Sequence, residues 1–206
     1  MRKIKSAIFV LAPLSFLAFF IFSACVTPYQ NPSLPSLIPE NQYFSDVDKF
    51  TSKQKVYDGF NQTMEVSGTL LTTTLMRSQL DHKARIYQWS PDQYASQKTE
   101  MESDLSKQTT VFMSFFVPDR KQDDLHKPKT LWKIYLDAGG RRFEGKATRQ
   151  KTILADVTSL YPNHTRFSSP YQIRFPAPVT MIENVESKLT MTGPVGTTSL
   201  IFHPNN

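Results

Sequence analysis

Three carboxylates and an imidazole fall close together at Asp119, Asp123, Asp124 and His126, and their spacing decides what chemistry they can do. A calcium loop takes oxygen ligands at alternate positions around a glycine turn. This stretch has neither feature, and Arg120, Lys121 and Lys127 oppose a cation. Segment 118–129 therefore reads as a solvated polar loop. The histidines His82, His126, His164 and His203 are widely separated, and none belongs to a His-Glu-x-x-His arrangement. No Gly-x-Ser-x-Gly elbow and no glycine-rich phosphate loop occurs. An active site would have to be dispersed along the chain and assembled only by the fold. The sequence favours a non-catalytic role and calls for no cofactor.

The densest positive patch is Arg141, Arg142, Lys146, Arg149 and Lys151. Such a face suits anionic lipid headgroups or peptidoglycan carboxylates. The plainer reading is favoured. Gly139-Gly140 between two alternating segments is ordinary hairpin-turn chemistry, and basic side chains guard exposed strand edges. Asn61-Gln62-Thr63 and Asn163-His164-Thr165 match the glycosylation acceptor pattern by chance.

The elements that must position these residues are mostly strands. Ser45-Asp46-Val47-Asp48 has the form of a capping box, so ordered structure is expected from about Ser45. Phe60, Met64, Val66 and Leu70 share one side of an extended segment, while Asn61, Thr63, Glu65 and Thr69 take the other. Residues 74–108 change to helical spacing, with Met76, Leu80, Ala84 and Tyr87 as a first stripe. Ser90-Pro91-Asp92-Gln93 starts a second helix, whose stripe is Tyr94, Met101 and Leu105. Together these make a two-helix hairpin inserted after the first strand.

The remainder is strand-like. Val111 to Val117 suits a central strand; Trp132, Ile134 and Leu136 alternate with polar neighbours and make Trp132 a core residue. Arg142 to Thr148 returns as a hairpin partner across Asp137-Ala138-Gly139-Gly140. Tyr171, Ile173 and Phe175 form another strand, as do Leu189 with Met191 and Leu200 with Phe202, these two joined by a turn at Gly193–Gly196. Tyr161-Pro162 and Pro170-Tyr171 bracket a polar loop, with the tyrosine hydroxyls expected to stay wet. Fifteen Phe and eight Tyr are enough to build a core. The expected fold is mainly β within the α+β class: an antiparallel β-sandwich, with an immunoglobulin-like shape as one form, carrying the helical hairpin. A helix-covered antiparallel sheet is the alternative.

Charge narrows the partners. The 206-residue chain has 24 basic residues, of which Arg2, Lys3 and Lys5 lie in the N-terminal segment. The 21 that remain against 18 acids leave about +3, an ordinary solubility margin that does not call for nucleic acid.

Residues 1–24 have a basic start, an apolar stretch from Ala7 to Phe22 and small residues at Ser23-Ala24, the layout of an export signal. Cys25, the sole cysteine, follows directly, so an intrachain disulfide is excluded. The run Phe22-Ser23-Ala24-Cys25 resembles the lipobox of bacterial lipoproteins, with Phe22 where that class commonly has Leu, Val or Ile. The resemblance implies cleavage before Cys25 and acylation of its thiol and its new amino terminus. By the same resemblance Val26, where an Asp would signal inner-membrane retention, implies the outer membrane, with the domain facing the periplasm. The competing reading is an uncleaved membrane helix, for which the apolar stretch is about long enough.

Pro28, Pro32, Pro35 and Pro39 mark a spacer, giving a signal peptide at 1–24, a proline-rich tether at 25–43 and one domain at 44–206. The expected protein is a lipid-anchored envelope component that acts by interaction, on the membrane through its lipid and on an envelope protein partner. A hydrolase with a dispersed site, or a carrier with an apolar cavity between sheet and hairpin, is the alternative.

Overall fold

A computed structural model describes residues 36–204. The expected export signal, Cys25 and residues 26–35 of the expected tether lie outside the described residues. Helix α1 (Glu40–Lys49) leads into β1 (Thr51–Asp58) and β2 (Asn61–Leu70), then helices α2 (Thr73–Ile86) and α3 (Pro91–Lys107). Strand β3 (Thr109–Phe116) precedes a loop with a 3-10 turn at Arg120–Gln122, followed by β4 (Lys133–Ala138), β5 (Arg141–Glu144) and β6 (Lys146–Arg149). Helix α4 (Leu154–Leu160), β7 (Ser169–Phe175), a 3-10 turn at Val179–Met181, β8 (Ser187–Gly193) and β9 (Gly196–Phe202) complete the order.

These strands form two antiparallel sheets, β1-β2-β3-β7-β6 and β5-β4-β8-β9. Period-two alternation puts Met64 and Val66 of β2, and Val111, Met113 and Phe115 of β3, on one face. They pack against Ile134, Leu136, Leu189, Met191 and Leu200 of the second sheet, which makes the fold a β-sandwich of the α+β class. Its first three strands run as one meander within a single sheet, an order different from the immunoglobulin constant domain.

The opposite face of the larger sheet is covered too. Phe112 of β3 packs with Tyr43, Val47 and Phe50 from α1, Leu75 of α2, and Val157 and Tyr161 around α4. The layers therefore run helices, sheet, sheet, so the helix-covered sheet and the sandwich are two halves of one architecture.

Several local expectations are corrected. Helix α1 starts at Glu40 rather than near Ser45, and Ile38 is already held by Asp81 and Arg85, so the folded domain reaches into the expected tether. The helical hairpin follows the second strand, because β1 precedes it. Phe60 does not share the inward side of Met64; it sits fully exposed in the β1–β2 turn. In α2 the packed face centres on Leu75, Gln79 and His82, with Leu80 and Ala84 beside it, whereas Tyr87 is exposed. The tyrosine hydroxyls expected to be wet are buried: Tyr161 accepts from Gln79 Nε2 at 3.1 Å, and Tyr171 donates to Asp123 Oδ1 at 2.8 Å.

The stretch 142–148 is not one return strand. Its first part pairs with β4 as β5, and its second crosses to the other sheet and pairs with β7 as β6. The crossing turns on Gly145, whose amide donates to Ile134 O at 2.8 Å. A β-carbon there would stand 2.6 Å from Phe175 Cε1 and 2.8 Å from Ile173 Cγ2, both fully buried. Gly145→Ala should therefore cost about 1–3 kcal/mol by overpacking. Urea unfolding checks this, and a midpoint equal to wild type would show that the crossing tolerates a methyl group.

Candidate functional site

The acidic loop does not converge on a cation position. Asp119 caps the 3-10 turn by accepting from Lys121 N, and Asp124 accepts from Thr130 Oγ1 at 3.0 Å. Asp123 turns inward, is buried, and accepts from Ser169 Oγ at 2.5 Å and from the Tyr171 hydroxyl. Arg149 approaches the same carboxylate at 3.4 Å, donates to Ser169 Oγ and lies over the Tyr171 ring. Burial and the Asp123 carboxylate both raise the Tyr171 hydroxyl. These contacts fasten the 118–129 loop across the end of β7.

The same contacts divide the basic patch. Arg141 and Arg142 stand on β5, an edge of the smaller sheet, while Lys146 and Arg149 stand on β6, an edge of the larger one. Lys151 lies exposed in the loop beyond. Arg142 grips Asp137 with Nε at 2.7 Å and Nη2 at 2.9 Å, which holds the Asp137 carboxyl below its ordinary range. Two of the five cations are thus bound to the chain's own acids. Lys146 borders a 560 Å³ groove with His126, Lys127, Lys133 and Glu144, where Lys133 is 3.6 Å from Glu144.

Each histidine has its own setting. His203 is an exposed side chain 3.5 Å from Glu186. His164 Nδ1 meets Ser114 Oγ at 2.8 Å, but both residues are buried, so the pair is closed to substrate. His82 is stacked on Tyr43, edge-on to Phe44, with Nε2 at 3.2 Å from Ser159 O. With Nε2 donating to that carbonyl, Nδ1 is a buried acceptor without a partner, 3.8 Å from Glu40 Oε1. Burial pulls His82 and His164 below the ordinary imidazole range; at His82 the Glu40 carboxylate opposes that shift and Arg85 adds to it.

Sequence reasoning missed the tip of the helical hairpin. Helix α2 ends at Ile86 with Tyr87 as its C-cap; Gln88 adopts φ +51°, and Trp89 N donates back to Ala84 O at 3.1 Å, closing a Schellman-type stop. Tyr87 is exposed and Trp89 half-buried, with ring centroids 6.2 Å apart and planes 21° from parallel. Helix α3 then starts with the expected cap: Gln93 N donates to Ser90 Oγ, and Ser90 N donates to Gln93 Oε1 at 2.9 Å. A 410 Å³ groove runs along Tyr87, Trp89, Gln93, Ser96 and Gln97. An adjoining 150 Å³ cavity shares Trp89 and Gln97 and reaches Lys83, Glu100 and Asp104. Burial lowers the Lys83 ammonium, and Tyr94, hydrogen-bonded to Asp81, is pushed up to about 12. The legible signal was two aromatics flanking a helix stop.

Between the sheet and α3 the cavity lined by Met76, Met101, Leu105, Gln172 and Arg174 holds only 120 Å³, below the ~300–1,000 Å³ usual for ligand pockets. Among the described residues no helix is long and apolar enough to cross a membrane, and no three His, Cys, Asp or Glu side chains gather as a metal site. Comparison with protein-family models, with curated proteins and with solved structures gives no match to this chain.

Asp123→Ala should cost about 2–3 kcal/mol, because it strands two buried hydroxyls and an arginine. The loop should also become sensitive to limited proteolysis near Arg120. An unchanged thermal midpoint would sink the latch.

The depressed histidines set a pH dependence. As pH falls past about 6.5 the unfolded chain takes up protons first, so stability that is complete above that value is lost below it. Urea midpoints should fall between about pH 7.5 and about pH 5. His82→Phe keeps a ring against Tyr43 and should flatten that fall; a slope equal to wild type would remove His82 as its source.

Proposed function

We propose that this chain is a lipid-anchored protein of the cell envelope that works by binding, and that the α2–α3 hairpin is its binding surface. The observation that carries the reading is the exposure of this hairpin. Helix α3 has 17 residues yet buries only Met101, and the turn before it presents Tyr87 and Trp89. A helix that contributes so little to the core is free to serve a surface role, and Tyr and Trp are enriched at interfaces. The lipobox-like run ending at Cys25 supports the anchor, and Val26 supports the outer membrane, facing the periplasm.

Site-specific photo-crosslinking in living cells tests the reading. A crosslinker at Tyr87 should give discrete adducts with an envelope component, and one at Ile201, exposed on β9, should not. Lipid labelling of the wild-type chain should be abolished by Cys25→Ser, which should also leave the signal uncleaved and the chain longer by the 24 residues before Cys25. Equal adducts from both positions would remove the hairpin as binding surface. A wild-type chain that takes up no lipid label, or that keeps residues 1–24, would remove the lipid anchor.

A further inference from the structure

We infer that the groove beside Trp89 is a saccharide site, shaped for the neutral N-acetylhexosamine glycan of the cell wall. This rests on the hairpin being the binding surface and adds the ligand class.

A pyranose ring has one flat face of C–H groups and a rim of hydroxyls. It is held by an aromatic plate on the face and by neutral donors and acceptors at the rim. The hairpin supplies both. Tyr87 and Trp89 form adjacent plates, 21° from parallel, that line the groove. Gln93, Ser96 and Gln97, on the first two turns of α3, line its wall with amides and a hydroxyl; Gln97 Nε2 donates to Glu100 Oε2 at 3.3 Å, which leaves its carbonyl oxygen to accept from a hydroxyl. The Gln93 carbonyl oxygen is committed to the Ser90 cap, which leaves its NH₂ to donate. The groove is open to solvent along its length, which suits a chain of sugar rings lying across a surface.

Charge selects among ligands. None of the five lining residues is charged, while Lys83, Glu100 and Asp104 belong to the adjoining cavity. A phosphate or carboxylate ligand would require a cation in the groove, and an acyl chain would require apolar walls. Amides complement acetamido and hydroxyl groups. The cell wall is the source within reach: residues 26–38 span at most about 45 Å, so a domain held at Cys25 works close to the membrane.

The experiment uses the full chain, tagged at its C terminus and purified in detergent. The probes are an N-acetylglucosamine tetramer, a glucose tetramer, purified lipopolysaccharide and purified cell-wall sacculi. The chain has two tryptophans, and Trp132 is buried with its indole N–H donating to Gln122 O at 2.8 Å. A ligand-induced emission shift therefore reports Trp89. The expected result is a saturable blue shift with the N-acetylglucosamine tetramer, and co-sedimentation with sacculi.

Gln97→Ala, at an exposed helix position, should weaken tetramer binding at least about tenfold, followed by emission. Trp89→Ala, followed by calorimetry, should do the same. Phe60→Ala, at the distant β1–β2 turn, should bind as wild type, and circular dichroism of each variant checks its fold. No shift and no sedimentation overturns the inference, as does tighter binding of the glucose tetramer or of lipopolysaccharide. Binding unaffected by Gln97→Ala in a folded variant also overturns it. If crosslinks at Tyr87 persist while the glycan fails, the saccharide assignment falls alone; if both fail, the hairpin is not the binding surface.

Discussion

A sheet that must be covered on both faces governs this molecule. Strand β3 lies at the centre of the larger sheet, with Val111, Met113 and Phe115 packed against the second sheet and Phe112 against the helices. Phe112 lies flat on Tyr161, with ring centroids 3.6 Å apart and planes 3° from parallel. Had the helical layer been absent, that ring and the row of side chains on its face would meet water, at roughly 25 cal/mol per Å² of apolar surface. Three segments distant in sequence, α1, α2 and α4, are therefore drawn onto one face. The hairpin's position follows from theirs.

The helical layer is held by polar bonds as well as by apolar contact. Gln79 donates toward both the Tyr43 and Tyr161 hydroxyls, at 3.3 and 3.1 Å, and Tyr43 donates to Leu160 O at 2.5 Å. Desolvation raises both hydroxyls, Tyr161 to about 12, so they stay neutral across the physiological range. Glu183 reaches across from the 179–185 segment to accept from Thr73 N and Thr73 Oγ1 at the start of α2. Buried groups bonded in this way avoid most of the desolvation cost that an unpaired group would incur. The unpartnered His82 Nδ1 and Arg85 Nη1 of α2 are exceptions within this layer.

These bonds explain where the sequence was legible. Strands with strict alternation, such as Tyr171-Ile173-Phe175 and Leu189-Met191, were readable because one face is buried and the other is wet or less tightly packed. The capping box at Ser90 was readable because it is satisfied within four residues. The packed face of α2 was not, because Ser78, Gln79, Asp81 and His82 are buried polar residues whose partners lie on other elements. Periodicity counts such residues as wet and turns the apparent stripe toward Tyr87. Strand β1 escaped notice since Lys53, Gln54 and Lys55 sit on an exposed edge, and α4 since it is short and lacks a side-chain cap. The crossing at Gly145 depends on space left by Ile173 and Phe175, 28 and 30 residues further along the chain. As for the candidate site, only Tyr87 and Gln93 figured in the sequence reading, each in a structural role, because nothing local reveals that a groove opens beside them.

Helix α3 shows why that groove has freedom to specialise. Most helical stability in proteins comes from tertiary packing, yet α3 buries only Met101. Its stability comes from elsewhere: the reciprocal cap, Pro91 at the first helical position, an i,i+4 pair of Lys98 and Glu102, and the Tyr94 bond to Asp81. Gln97 adds an i,i+3 hydrogen bond to Glu100 at 3.3 Å, and none of these uses Ser96. The left-handed Gln88 fixes where α2 stops, and so where Trp89 stands relative to the next helix. Positioning and recognition are thus assigned largely to different residues. A helix so held keeps its geometry while its solvent-facing side chains vary, which is the condition under which a surface can be fitted to a ligand without loss of the fold.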